Sequence, residues 1–232
     1  MPGMIIALFL AVIGVIMYFS YLAEKQRRQA LTILAMRLGF RYEPDRDNTR
    51  LEGRYDRIDL LGKGSNRYTK NHLIGQIDGR PVVACDFHYE TYSTDSKGHR
   101  QTHHHLYGVI FVVLPLRMNQ VCIRSENLFD KLAGVLGFED IDFESAEFSR
   151  RFNVTADNRK FAYDLIHARA MEYLLAHDDY CWEFDGPVIA LYQSGTFKPE
   201  QIKPAIDTVI GFIPLIPEYV WAERGRSTST ES

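Results

Sequence analysis

Residues 71–114, NHLIGQIDGRPVVACDFHYETYSTDSKGHRQTHHHLYGVIFVVL, decide the fold. Side chains here change character with a period of two. Val83, Cys85, Phe87 and Tyr89 alternate with Val82, Ala84, Asp86, His88 and Glu90, as on a strand whose two faces meet different surroundings. Asp78-Gly79 is a two-residue hairpin signal between His72–Ile77 and Arg80–Thr91. The polar stretch Ser93–Gly98 reads as a second hairpin loop, leading into a third strand over His99–Leu114. Three antiparallel strands are therefore expected at the centre of the sheet.

Downstream, Val121–Arg124 reads as a short strand, and Ser125 as the cap of a helix over Glu126–Leu136 that Gly137 stops. Phe138–Phe148 is acidic and reads as a solvated connection; it lacks the spacing and glycine of a calcium loop. Phe152–Thr155 predicts a strand. Asp157 is the expected N-cap of a helix through Ile166, followed by a second helix over Ala168–Ala176. Tyr180–Phe184 and Val188–Tyr192 flank Asp185-Gly186 and predict another hairpin. Ile202, Ala205, Ile206, Val209 and Ile210 mark an amphipathic helix after Pro199, with Pro204 arguing against so early a start.

Upstream lies a different kind of chain. Met4–Tyr21, MIIALFLAVIGVIMYFSY, carries no charge. At 1.5 Å per residue a helix of this length covers about 27 Å, close to the hydrocarbon thickness of a bilayer. Met4, Ile5, Leu8, Phe9, Val12 and Ile16 would face lipid, and Tyr18, Phe19 and Tyr21 suit the headgroup belt. A cleaved signal peptide is disfavoured, because no basic segment precedes the run and no small-x-small site follows it. Lys25, Arg27 and Arg28 come immediately after and predict, by the positive-inside rule, that the remaining chain is cytoplasmic. Leu31, Leu34, Ala35 and Leu38 then form one helical stripe, read as packing on the domain, with Gly39 as the stop.

Composition limits the function. The chain of 232 residues has 27 basic and 30 acidic residues, which leaves no electrostatic footprint for nucleic acid. Mean hydropathy is −0.22, yet without the apolar run the remainder averages roughly −0.44, as in a water-soluble domain. Cys85, Cys122 and Cys181 are odd in number and far apart; they read as buried small side chains and not as a disulfide framework. Gly62-Lys63-Gly64 lacks phosphate-loop spacing, and no G-x-S-x-G, H-E-x-x-H, dinucleotide or kinase motif occurs.

One cluster has the chemistry of metal ligands. His103, His104 and His105 are consecutive, and alternate residues of a strand share a face. If the Ser93–Gly98 loop pairs Tyr92 with His99, then His88 faces His103 and Asp86 faces His105, with Glu90 nearby. Imidazole with carboxylate suits zinc or another divalent ion. A one-residue slip destroys the match.

The stretch Phe143–Leu175 resembles a segment of an uncharacterised family of bacterial proteins anchored by a single membrane span. Phe148, Phe152, Val154, Asp157, Ala162, Met171 and Leu174 fall on that family's pattern, and Ala168 stands where a proline is usual. The resemblance implies no activity, cofactor or catalytic residue.

The sequence thus predicts an α+β protein: an N-terminal transmembrane helix, then a mainly antiparallel sheet with several packed helices. Its expected parts are an anchor at 1–22, a juxtamembrane helix at 23–39, one cytoplasmic domain at 40–223 and a polar tail at 224–232. The expected function is a non-enzymatic protein-interaction or scaffold module at the bacterial inner membrane. Its expected partners are the bilayer, through residues 4–22, and another protein. The alternatives are a divalent-metal protein using the histidine face and a module that binds an anionic leaflet.

Overall fold

The computed structural model describes residues 2–47, 53, 55, 57–96, 98–125 and 141–221, with side chains from residue 9 onward. The first helix, α1 (Pro2–Leu38), is continuous through both the expected anchor and the expected juxtamembrane helix. It is followed by β1 (Arg41–Glu43), the short α2 (Asp59–Gly62), β2 (Ser65–Ile77), β3 (Arg80–Thr94) and β4 (Arg100–Ser125). Then come α3 (Ala146–Arg151), β5 (Phe152–Ala156), α4 (Arg159–Leu165), α5 (Ala168–Leu175), β6 (Cys181–Ser194) and α6 (Pro199–Phe212). The helix expected over Glu126–Leu136 and the polar tail at 224–232 lie outside the described residues.

The six strands among the described residues form one antiparallel sheet, organised around β4. Along one edge β4 pairs first with β3, then with β5; along the other it pairs with β6. The expected strands His99–Leu114 and Val121–Arg124 are therefore one long strand. β2 and β1 continue the sheet beyond β3.

The two aspartate-glycine signals have different outcomes. At Asp78-Gly79 both residues have positive φ, 50° and 73°, as a type I′ hairpin turn requires, and Ile77 pairs with Arg80. At Asp185-Gly186 the expected hairpin does not form. Only Gly186 is left-handed, at φ 54°, and it sits opposite Met118 where the β4–β6 register shifts. The glycine serves a bulge that bends one long strand, so Tyr180–Phe184 and Val188–Tyr192 are not partners.

One face of the sheet carries the larger core. Val82, Ala84, Ile110, Val112, Val121, Ile123, Trp182, Phe184, Ile189 and Leu191 are buried there against Leu31 and Ala35 of α1, Phe148 of α3, Phe161 of α4 and Ile206, Val209 and Phe212 of α6. The opposite face is thinner: Val83, Cys85, Phe87, Val109, Phe111, Val188 and Ala190 are covered by Tyr55, Ile58 and Leu60.

Helix α1 ends as expected. Gly39 is left-handed at φ 68°, the Phe40 amide donates to the Ala35 carbonyl at 2.8 Å, and the Gly39 amide donates to Met36 at 3.3 Å. This is a Schellman ending, and it turns Phe40 into the core beside Gly75, where a Cβ would meet the Phe40 ring.

Two local expectations are corrected, and a third holds despite the proline that argued against it. Asn158, not Asp157, caps α4, its side chain accepting from the Phe161 amide at 3.0 Å. Part of the supposed acidic connection is α3, capped by Ser145. Helix α6 starts at Pro199 with Pro204 inside it: Ile202, Ala205, Ile206, Val209 and Phe212 are all buried, and that packing outweighs the lost backbone bond.

Candidate functional site

The two halves of α1 have opposite surroundings. Phe9, Leu10, Val12, Ile13, Val15, Ile16, Met17, Tyr18, Phe19 and Tyr21 are all exposed, and at 100° per residue they cover every side of the helix. From Leu31 the same helix docks one stripe on the domain: Leu31 and Ala35 are buried, with Leu34 and Leu38 packed beside them. Among the described residues, no helix is long and apolar enough to cross a membrane. Counted from Phe9, the uncharged stretch ends at Ala23 after about 22 Å. Met4, Ile5 and Leu8, the remaining expected anchor side chains, lie outside the described ones.

Between the halves is a clamp. Arg27, expected as a topology determinant, reaches the sheet: Nη1 and Nη2 donate to the two Asp86 carboxylate oxygens at 2.8 and 2.9 Å, and Nη2 also donates to the Phe197 carbonyl. Asn71 Nδ2 donates to Asp86 at 2.8 Å, and the Tyr42 hydroxyl donates to Asn71 Oδ1. Asp86 is thereby occupied and is not a ligand of the histidines. Arg28 pairs with Glu24 on its own helix at 3.0 Å, while Lys25 is exposed. Arg37, further along α1, is also exposed, so Lys25, Arg28 and Arg37 present basic groups at the surface and Arg27 does not.

The histidines are arranged differently from the expected face. Strand pairing runs on to Thr94–Arg100, so Thr91 faces His103, Glu90 faces His104 and Tyr89 faces His105. This is three residues from the expected register, and an odd shift exchanges the faces. Ser93 and Thr94, loop-like by composition, extend β3. The turn is set by Asp95, whose carboxylate accepts from the His99 amide at 2.8 Å, and by Gly98 at φ 84°.

His103 and His105 therefore share a face with Tyr89. His105 stacks on Tyr89 with ring centroids 4.6 Å apart and bonds Thr91 at 2.8 Å; His103 bonds Ser93 at 2.7 Å. Burial holds the His105 imidazole below its ordinary range, with neighbouring histidines adding to the effect.

On the other face, His88, Glu90 and His104 converge, with one potential ligand atom from each lying within 4.8 Å of the others. His88 Nε2 is 3.1 Å from His104 Nδ1, which is 3.4 Å from Glu90 Oε1. Asn66, left-handed at φ 49° beside the bulge between Ser65 and Tyr68, braces both neighbours. Its carbonyl lies 3.2 Å from His88 Nδ1, and its amide donates to Glu90 Oε1 at 2.6 Å. That bond holds the Glu90 carboxyl below the usual carboxylate range. Tyr68 stacks on His88 at 4.4 Å, and the Tyr92 hydroxyl donates to Glu90 Oε2 at 3.0 Å. Sequence reading missed Asn66; the available signal was an asparagine between Ser65 and Arg67, a residue type that tolerates φ > 0.

A third polar cluster lies under the thin face. The Glu183 carboxylate caps α2 by accepting from the Asp59 amide, and Arg124 Nη2 donates to Asp59 at 3.0 Å. Burial pushes the Glu183 carboxyl up to about 7. Burial also pushes the Cys181 thiol up to about 11 and the Cys122 thiol higher still. All three cysteines are free and buried, so none is an accessible thiolate.

These elements define an α+β class: a single antiparallel sheet, most helices on one face, and a long N-terminal helix docked by its second half. A solved protein of similar fold is the mycobacterial trehalose monomycolate transport factor A, TtfA, with a TM-score of 0.56 and 17% identity over 84% of this chain and 96% of that one. No family model matches the chain. No curated protein matches it either.

Proposed function

We propose that the chain is a membrane-tethered, non-enzymatic accessory factor of a transport assembly, with Met4–Tyr21 in the bilayer and the α+β domain docking a protein partner on the cytoplasmic side. The observation that carries this reading is the exposure of ten large apolar side chains around the whole circumference of α1 between Phe9 and Tyr21. Leaving that surface in water forgoes on the order of 10 kcal/mol, as much as the entire stability of an ordinary domain. An apolar solvent or partner removes the penalty, and the uncharged run reaching back to Met4 has the length for a bilayer. The transport element of the reading is supported by the fold shared with a protein named as a transport factor. A non-enzymatic role is supported by buried thiols and by the occupation of Asp86 in a structural clamp. Membership of the uncharacterised single-span family belongs to the same reading.

Cysteine labelling tests it, because the native thiols are buried. In proteoliposomes Ile16→Cys should resist a membrane-impermeant maleimide until detergent is added, whereas Met36→Cys, 68% exposed, should react readily. Equal labelling of both without detergent would remove the tether. In cells, labelling of Met36→Cys from the outer side would reverse the orientation.

A further inference from the structure

We propose that His88, Glu90 and His104 form a binding site for a divalent transition metal of the zinc class, with one coordination position left open. The donor set argues for the metal type. Two imidazole nitrogens with one carboxylate oxygen suit zinc and its neighbours, whereas calcium and magnesium prefer shells of oxygen. Spacing argues for the geometry. Ligands about 2.05 Å from a tetrahedral ion stand about 3.3 Å apart. The observed separations of 3.1 Å between the imidazoles and 3.4 Å from His104 to Glu90 bracket that edge.

The surroundings orient the ligands as metal sites require. The Asn66 carbonyl can only accept, so His88 Nδ1 carries the proton and directs the lone pair of Nε2 toward His104. His104 Nδ1 then supplies the hydrogen shared with His88 Nε2 and Glu90 Oε1. A metal ion takes that position when this proton transfers through water to His104 Nε2, on a ring whose side chain is 61% exposed. The imidazole remains neutral, and the proton count balances. Glu90 is kept in place by Asn66 and Tyr92, and His88 by the Tyr68 ring. The approach of the preceding loop is fixed too. Gly64 is left-handed at φ 60°, and a Cβ there would collide with the Glu90 carbonyl.

The strands settle which histidines belong. His88 and Glu90 are alternate residues on β3, and His104 lies directly across from Glu90 on β4. His103 and His105 bond Ser93 and Thr91 on the opposite face. The site does not depend on the tether: it is built wholly within β2, β3 and β4.

The test is calorimetric titration of zinc chloride into the untagged full chain in detergent, stripped beforehand with a chelator. One equivalent should bind. His104→Ala and Glu90→Gln should each weaken binding at least about tenfold, and Asn66→Ala about tenfold with unchanged stoichiometry. His103→Ala should leave affinity unchanged. Cobalt(II) in place of zinc should give the visible absorption of a four-coordinate site in the wild type and not in His104→Ala. An absence of saturable binding, or equal weakening by His103→Ala and His104→Ala, would overturn the assignment. The latter pattern would mark a histidine-rich surface without a defined site. Because His104 is at the surface, its removal leaves the core intact and the comparison interpretable.

Discussion

Replacing Arg27 by methionine keeps the aliphatic stem but removes the charge that clamps α1 to the sheet. Asp86 is then left with its side chain 5% exposed and Asn71 as its remaining described donor. Breaking a buried ion pair from one side costs about 3–5 kcal/mol, since the orphaned charge stays in a poor solvent. The Arg27 side chain is 19% exposed and Asn71 stays in place, which lowers the expected cost to about 2–3 kcal/mol. The bond from Arg27 to the Phe197 carbonyl is lost as well, so α1 should loosen against the start of α6. Urea unfolding of the full chain in detergent, followed through the fluorescence of buried Trp182, reads the global cost. Hydrogen exchange over residues 28–38 reads the local one. The double variant Arg27→Met/Asp86→Asn removes the orphaned charge while keeping an acceptor for Asn71, and should lie within about 1 kcal/mol of wild type. A single variant within about 0.5 kcal/mol of wild type, or a double variant as unstable as the single one, would refute the clamp.

Glu183→Gln should reshape the pH dependence of stability. The native carboxyl titrates at about 7 and the unfolded one near about 4.3, so the native state binds more protons between those values and loses stability as pH rises. The variant's advantage should grow from nothing near pH 4 to on the order of 3 kcal/mol by pH 8; parallel curves for the two proteins would contradict this. Gly64→Ala should cost about 2–3 kcal/mol in urea unfolding, from left-handed backbone strain together with the collision at Glu90. It should also weaken zinc binding, and a stable variant with wild-type affinity would show that the loop does not position Glu90.

Much of this fold was legible because its strongest signals are local. The Leu31, Leu34, Ala35, Leu38 stripe and the Gly39 stop involve one helix and its own hydrogen bonds, and they appear as read. Asp78-Gly79 was legible for the same reason. Asp185-Gly186 carries the same letters but answers to β4: pairing on both sides of Met118 keeps β6 in one piece, and the glycine's freedom is spent on a bend. The histidine site failed by register. Periodicity assigns residues to faces within one strand, but which residue lies across depends on where the turn closes. Asp95 and Gly98 close it between Thr94 and Arg100, not between Tyr92 and His99, which offsets the register by three residues. His88 and the nearby Glu90 stay in the cluster, His103 and His105 lie on the other face, Asp86 is taken by Arg27, and His104 enters. In the sequence Arg27 looks like a membrane-side charge because its partner, Asp86, is 59 residues away.

The proposal that the N-terminal run is held in a bilayer is tested most directly by alkaline carbonate extraction of membranes containing the full chain. The wild-type chain should stay in the membrane pellet, and the variant carrying Val12→Arg and Ile16→Arg should move to the supernatant with its domain folded. Release of the wild-type chain, or retention of both proteins, would contradict it.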